Sequence, residues 1–101
     1  LAFGITRAEL NLWKKTVLSG ETAYLTHYWY DPRFPDITSV TKVGNANLKQ
    51  LRIWCVKHGL NPKYIHDRPP FPHFDLMGEK QQEILMKENL QDHLTRFKLG
   101  G

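Results

Sequence analysis

Thr22-Ala23-Tyr24-Leu25-Thr26-His27-Tyr28-Trp29-Tyr30 is the stretch on which the fold turns. Its β-branched and aromatic side chains favour extended backbone. Strand alternation puts Ala23, Leu25, His27 and Trp29 on one face, and Tyr24, Thr26, Tyr28 and Tyr30 on the other. Both faces carry apolar bulk, which predicts a central strand covered on both sides. Asp31-Pro32 ends it, because proline lacks the amide donor and biases the residue before it away from helix. Asp31-Pro32-Arg33-Phe34-Pro35 then reads as a stiff loop that carries an aromatic ring and two opposite charges.

Upstream, Thr6 and Glu9 have the spacing of a capping box. The helix they open runs from Arg7 to Ser19 and stops at Gly20. Leu10, Trp13 and Val17 share one of its faces, which makes Trp13 a core anchor. Downstream, residues 38–43 read as a second strand and Asn47 as an N-cap. The helix from Leu48 to His58 is expected to bury Leu48, Leu51, Trp54 and Cys55 and ends at Gly59. Tyr64-Ile65-His66 reads as a third strand. A strand–helix–strand run of this length is most simply a right-handed crossover between parallel strands. A third helix over Glu79 to Glu88, with Asp75 as its cap, and a short fourth over Leu90 to Leu99 complete the pattern. The expectation is an α/β fold: a small three-stranded, at least partly parallel sheet packed by three to four helices. Residues 1–99 form a single domain in this reading, and Gly100-Gly101 a frayed tail.

The totals agree with one ordinary globular domain. The chain has 101 residues, of which 41% are hydrophobic and 24% charged. No apolar run approaches the roughly 20 residues that span a bilayer. The first residues lack the basic start and apolar middle of a signal peptide. Cys55 is the single cysteine, so no internal disulfide forms and a cytoplasmic location is expected. Its apolar neighbours make it a buried small hydrophobe rather than a nucleophile. A net charge of +4 permits a nucleic-acid or phosphorylated partner without demanding one.

Two proline-pinned loops are the candidates for chemistry. The first supplies Asp31, Arg33 and Phe34; the second, running from His66 to Asp75, supplies His66, Arg68, His73 and Asp75. If the first and third strands were parallel neighbours, both loops would leave the carboxyl-terminal edge of the sheet, where open α/β folds bind ligands. Arg33 reads either as a phosphate fork or as a partner that pins Asp31 or Asp75. His66, His73 and Asp75 are metal-ligating types, but the His-x-Asp spacing by itself assigns no metal and no cofactor. Tyr28, Tyr30, Phe34 and Phe71 could stack on bases, or serve as core and loop anchors. His27 reads as a semi-buried strand histidine, and His58 and His93 as partners of helix C-terminal dipoles. There is no P-loop, dinucleotide fingerprint, nucleophile elbow or zinc-finger spacing.

The run Thr26 to Pro35, the Thr41-Lys42-Val43-Gly44 before a helix, the helix ending His58-Gly59-Leu60, and His73-Phe74-Asp75-Leu76 together resemble the YneQ-like proteins of Gram-positive bacteria. The resemblance covers nearly the whole chain. It implies a compact α/β domain in a bacterial cytoplasm, and it carries no activity and no site residues with it. Three functional readings follow from the residues. The leading one is a non-catalytic module that binds nucleic acid or a phosphorylated ligand through the arginine, histidine and aromatic loop surface. The others are a small metal-assisted or histidine-based hydrolase or nuclease, and a protein-interaction adaptor. Whether the chain is an enzyme is left open by the sequence.

Overall fold

A computed structural model describes residues 2–99. The tail expected at Gly100-Gly101 lies outside the described residues. In chain order the elements are β1 (Ala2–Phe3), α1 (Arg7–Leu18), β2 (Ala23–Trp29), β3 (Ser39–Gly44), α2 (Leu48–Lys57), β4 (His73–Leu76), α3 (Gly78–Lys87) and α4 (Gln91–Arg96). The strands form a four-stranded sheet in the order β1-β2-β3-β4. Its strands are antiparallel, with Ala2 opposite Trp29 and Phe3 opposite Tyr28 at one edge.

The small α/β fold with four helices is as expected, but antiparallel pairing overturns the expected parallel part of the sheet, and the two-residue β1 adds a fourth strand at its edge. The reason lies after α2. Tyr64-Ile65-His66 is not a strand entered from a crossover helix. Pro62–Tyr64 is a 3-10 turn, opened by the Asn61 side chain accepting from the Lys63 amide. The strand proper is His73–Leu76, beyond the second proline loop. The chain has therefore already reversed when it reaches the sheet. Asn45, just past the end of β3, donates its amide to the Pro72 carbonyl just before β4, at 3.2 Å. An end meeting a start is the antiparallel arrangement.

Contacts divide the chain into two compact units. The first comprises the chain up to Ile5, Thr26–Thr41, and the segment from Leu76 onward; the second comprises Thr6–Leu25 and Lys42–Asp75.

The first unit buries Val40, Leu76, Ile84, Leu85, Leu94 and Phe97. Among them runs a polar network. The Thr26 and Thr41 hydroxyls are 2.7 Å apart, and Gln81, 1% exposed, donates to Thr41 at 3.0 Å and to Ser39 at 3.3 Å. Thr26 also meets His93 Nδ1 at 2.8 Å, so this histidine completes the network and is not merely a helix-end charge. Each buried polar group is accounted for by its partners, which is the condition for keeping it there. Helix α3 is capped by Met77 without a side-chain hydrogen bond, so Asp75 is not its cap. After Glu88 closes that helix, Asn89 adopts φ 59, the left-handed stop that asparagine tolerates.

The second unit is built around Trp13, which is 5% exposed. Its indole N–H lies 3.2 Å from both the Ala23 and the Lys42 carbonyl oxygens. Gly44 runs flat against this ring: a Cβ there would lie 2.5 Å from Trp13 Cζ2. The capping box of α1 forms as read, with Thr6 Oγ1 accepting from the Glu9 amide and the Glu9 carboxylate accepting from the Thr6 amide. Asn47 caps α2 by accepting from the Gln50 amide. That helix buries Leu51, Trp54 and Cys55 but leaves Leu48, in its first turn, only half-buried, and Trp54 donates to the Tyr24 hydroxyl at 2.9 Å. Burial pushes the Cys55 thiol up to about 11, which removes it from nucleophilic chemistry near neutral pH. His58 is the C-cap of α2 and packs on the Trp54 ring, with centroids 4.7 Å apart. Among the described residues no helix is long and apolar enough to cross a membrane.

Candidate functional site

The second proline loop is a hairpin. His66 and His73 face each other as an antiparallel bridge, exchanging both backbone hydrogen bonds: His66 N–H to His73 O at 2.8 Å and His73 N–H to His66 O at 3.1 Å. Directly opposed residues project from the same face of the pair, and a residue two further along does likewise. The register therefore puts His66, His73 and Asp75 on one face. Residues 67–72 close the hairpin. Arg68 accepts from the Phe71 amide at 2.9 Å across Pro69-Pro70, whose peptide bond is cis, the arrangement of a type VI turn.

On that face the two imidazoles stack, with centroids 5.1 Å apart and planes 20° from parallel. His66 Nε2 is 3.3 Å from Asp75 Oδ2, and His73 Nε2 is 3.9 Å from Asp75 Oδ1. One ligand atom from each of the three residues lies within 4.8 Å of the others. His73 Nδ1 is 3.0 Å from the Phe71 carbonyl. A carbonyl can only accept, so Nδ1 carries the proton. Nε2 of the neutral ring is then an open lone pair on the Asp75 side. Burial is the main influence that lowers the His73 pKa below 6.5, opposed by the Phe71 carbonyl and the Asp75 carboxylate and assisted by Lys42 and His66. The neutral ring is thus favoured at pH 7. Asp75 Oδ1 is buried without a hydrogen-bond partner among the described residues. At 3.9 Å, His73 is too far away to serve as one.

Four further residues belong to this neighbourhood. Trp13 lies against both Phe71 (centroids 6.1 Å) and His73 (6.5 Å, edge-on). The Lys14 ammonium sits 5.5 Å from the Phe71 ring centre and that of Lys42 5.9 Å from the Trp13 ring centre. Nothing in the sequence pointed to these lysines. Lys14 is an outward-facing helix residue and Lys42 a strand residue, and only the packing of Trp13 links them to the hairpin. Trp13 itself was legible as a core anchor from its helical spacing.

Asp31, Arg33 and Phe34 belong to the first unit, and there they engage one another. The Asp31 carboxylate accepts from the Arg33 backbone amide at 2.9 Å, from Nε at 3.0 Å and from an Nη at 2.5 Å. Hydrogen bonding to Arg33 brings the Asp31 carboxyl from its ordinary 3.8 down to about 2. The Arg33 guanidinium also lies 5.6 Å from the centre of the Phe34 ring, and Phe34 stacks on Trp29 at 6.2 Å. Of the two meanings open for Arg33, a loop-pinning partner of Asp31 is the one its contacts match. Tyr30, 68% exposed, and Phe34, 48% exposed, are outward aromatics of this segment. The same unit has an open recess of about 200 Å³ lined by Ile37, Thr38, Ser39, Gly78, Gln81, Lys98 and their neighbours. None of the residues singled out from the sequence lines it.

A small α/β chain with a histidine–aspartate hairpin is the class that fold and site define. Compared with known proteins, the chain is 54% identical over 99 residues to the uncharacterized protein YneQ of Bacillus subtilis (strain 168), covering 98% of this chain and 100% of that one. The chain therefore belongs to the YneQ family, as its motifs indicated. No family model matches it. No solved structure matches it either.

Proposed function

We propose that the chain is a non-catalytic binding module for a nucleic acid or another phosphorylated ligand, engaged on the second unit. One observation carries the reading: Lys14 and Lys42 sit over the Phe71 and Trp13 rings beside His73, so two ammonium groups flank one end of the hairpin. Arg68, exposed in the same hairpin, adds a third cation. Trp13 is committed to the core, so base stacking would fall to half-buried Phe71 and to exposed rings. The electrostatic part of the interface thus dominates over the stacking part. Arg33 contributes little, because its fork is taken up by Asp31.

The test is fluorescence anisotropy with labelled single-stranded RNA and DNA oligonucleotides over a range of salt. Binding should weaken linearly on a log–log plot. Replacing Lys14 and Lys42 together by alanine should reduce the slope by roughly one per lysine. Absence of salt-sensitive binding to oligonucleotides and to nucleotides would remove the proposal. A second reading, a metal-assisted hydrolase or nuclease, is favoured by the convergence of His66, His73 and Asp75. Phosphodiester and phosphomonoester turnover that disappears in His73→Ala would select it.

A further inference from the structure

We infer that His66, His73 and Asp75 form a binding site for a first-row divalent cation of the zinc, cobalt or iron(II) type. The backbone register supplies the first argument. The bridge between His66 and His73 and the two-residue step to Asp75 place three donor side chains on one face without any long-range coincidence. The donor geometry supplies the second. A cation held by nitrogen and oxygen at about 2.1 Å sets neighbouring donors roughly 3–3.5 Å apart. His66 Nε2 and Asp75 Oδ2 are already at 3.3 Å, and His73 Nε2 is 3.9 Å from Asp75 Oδ1. Rotamer adjustments of a few tenths of an ångström to about an ångström bring the set, now within 4.8 Å, to ligating distance.

Two further features separate this cluster from a chance meeting of polar groups. The Phe71 carbonyl holds the Nδ1 proton of His73, which orients the ring and aims the Nε2 lone pair at the other donors. Metal-ligating histidines are ordinarily fixed in this way through their second nitrogen. Asp75 Oδ1 is shielded from solvent and has no hydrogen-bond partner among the described residues. A buried carboxylate oxygen normally has one, and a cation would supply what the side chains around it do not. His66, with 48% of its side chain exposed, leaves the cluster open to solvent on its own side, so a cation can enter.

The donor set names the class of ion. Two imidazoles and one carboxylate suit borderline first-row divalent ions. Calcium and magnesium prefer all-oxygen shells, and copper(I) prefers sulfur. Three protein ligands leave at least one coordination position for water or an exogenous ligand. The inference concerns cation binding alone and stands whether or not the chain binds phosphorylated ligands.

The experiment uses the full chain, stripped with chelator and titrated with cobalt(II) and zinc(II). Calorimetry should saturate at one ion per chain. Cobalt(II) should develop visible d–d absorption, and zinc(II) should displace it. Separate His66→Ala, His73→Ala and Asp75→Asn variants should each lose at least about tenfold in affinity. In the unmodified chain, ¹⁵N imidazole spectra should show the Nε2 resonances of His66 and His73 moving on zinc addition, while His73 Nδ1 stays protonated. That measurement tests the site even if a variant fails to fold. No saturable binding below about 1 mM, variants that bind like the parent chain, or zinc-induced shifts confined to other histidines would each overturn the inference.

Discussion

Two proline-rich loops each carry aspartate, arginine and phenylalanine, the second adding His66 and His73, yet they end in opposite electrostatic states. In Asp31-Pro32-Arg33-Phe34-Pro35 the carboxylate takes a backbone amide and a guanidinium from a residue two positions away. The loop satisfies itself, at the surface, with groups that water could also satisfy. In the hairpin from His66 to Asp75 the groups satisfy one another only in part. The Asp75 carboxylate keeps a buried oxygen without a hydrogen bond, and the imidazole nitrogens stand 3.3 Å and 3.9 Å from it. Similar composition therefore does not mean similar readiness to bind. What decides is whether local geometry lets the polar groups neutralise each other before a ligand arrives.

The sharpest way to break this comparison is to remove the support of the hairpin. Trp13→Ala deletes the ring on which Phe71 and His73 rest, together with its two carbonyl contacts. A loss of about 3–5 kcal/mol in urea denaturation is expected. A loss below about 1 kcal/mol would mean that the hairpin does not depend on that core. Gly44→Ala probes the same contact from the other side. Its new methyl must displace the indole, at a cost of about 1–3 kcal/mol, whereas an unchanged midpoint would show that the ring moves freely.

The next prediction concerns pH. Burial holds the folded-state pKa of His73 below 6.5. The folded protein therefore releases this proton more readily than the unfolded chain does. The corresponding stability is fully present above pH 6.5 and is lost as pH falls through the folded pKa. His73→Gln should flatten the pH dependence of the denaturation midpoint in that window. An equal slope in the variant would assign the effect to another group.

The smallest expected effect lies in the self-satisfied loop. Arg33→Ala should return the Asp31 carboxyl from about 2 towards 3.8, read by ¹³C carboxyl titration. Its depressed pKa contributes stability that is present above pH 4 and fades as pH falls towards 2, so the variant should differ little from the parent at neutral pH. A marked loss of oligonucleotide binding in Arg33→Ala would contradict the contrast drawn between the loops.

Much of the architecture was legible in local chemistry. The capping box at Thr6 and Glu9, the Asn47 cap, the helical spacing that buries Trp13, Leu51 and Trp54, and the strand through Thr26 all follow from interactions within a few residues. Strand direction was not legible. Tyr64-Ile65-His66 has the composition of a strand, but Asn61-Pro62 commits it to a 3-10 turn, and His66 pairs with a residue on the far side of the proline loop. That pairing brings His66 to His73 and Asp75, while the strand that joins the sheet is the later His73–Leu76.

By itself the sequence determined the helices, the caps of α1 and α2, the central strand, the family, and the residue types available for chemistry. These depend on near neighbours in the chain, whose side-chain and backbone preferences act over one or two turns. Only the tertiary structure decided which polar groups meet. Asp31 spends its charge on Arg33, and Gln81, Thr26 and Thr41 consume one another in a buried network. Asp75 stands beside two imidazoles with an oxygen still to be satisfied. Register across strands sets those meetings, and a one-residue slip, which changes little in local propensity, would turn Asp75 to the opposite face.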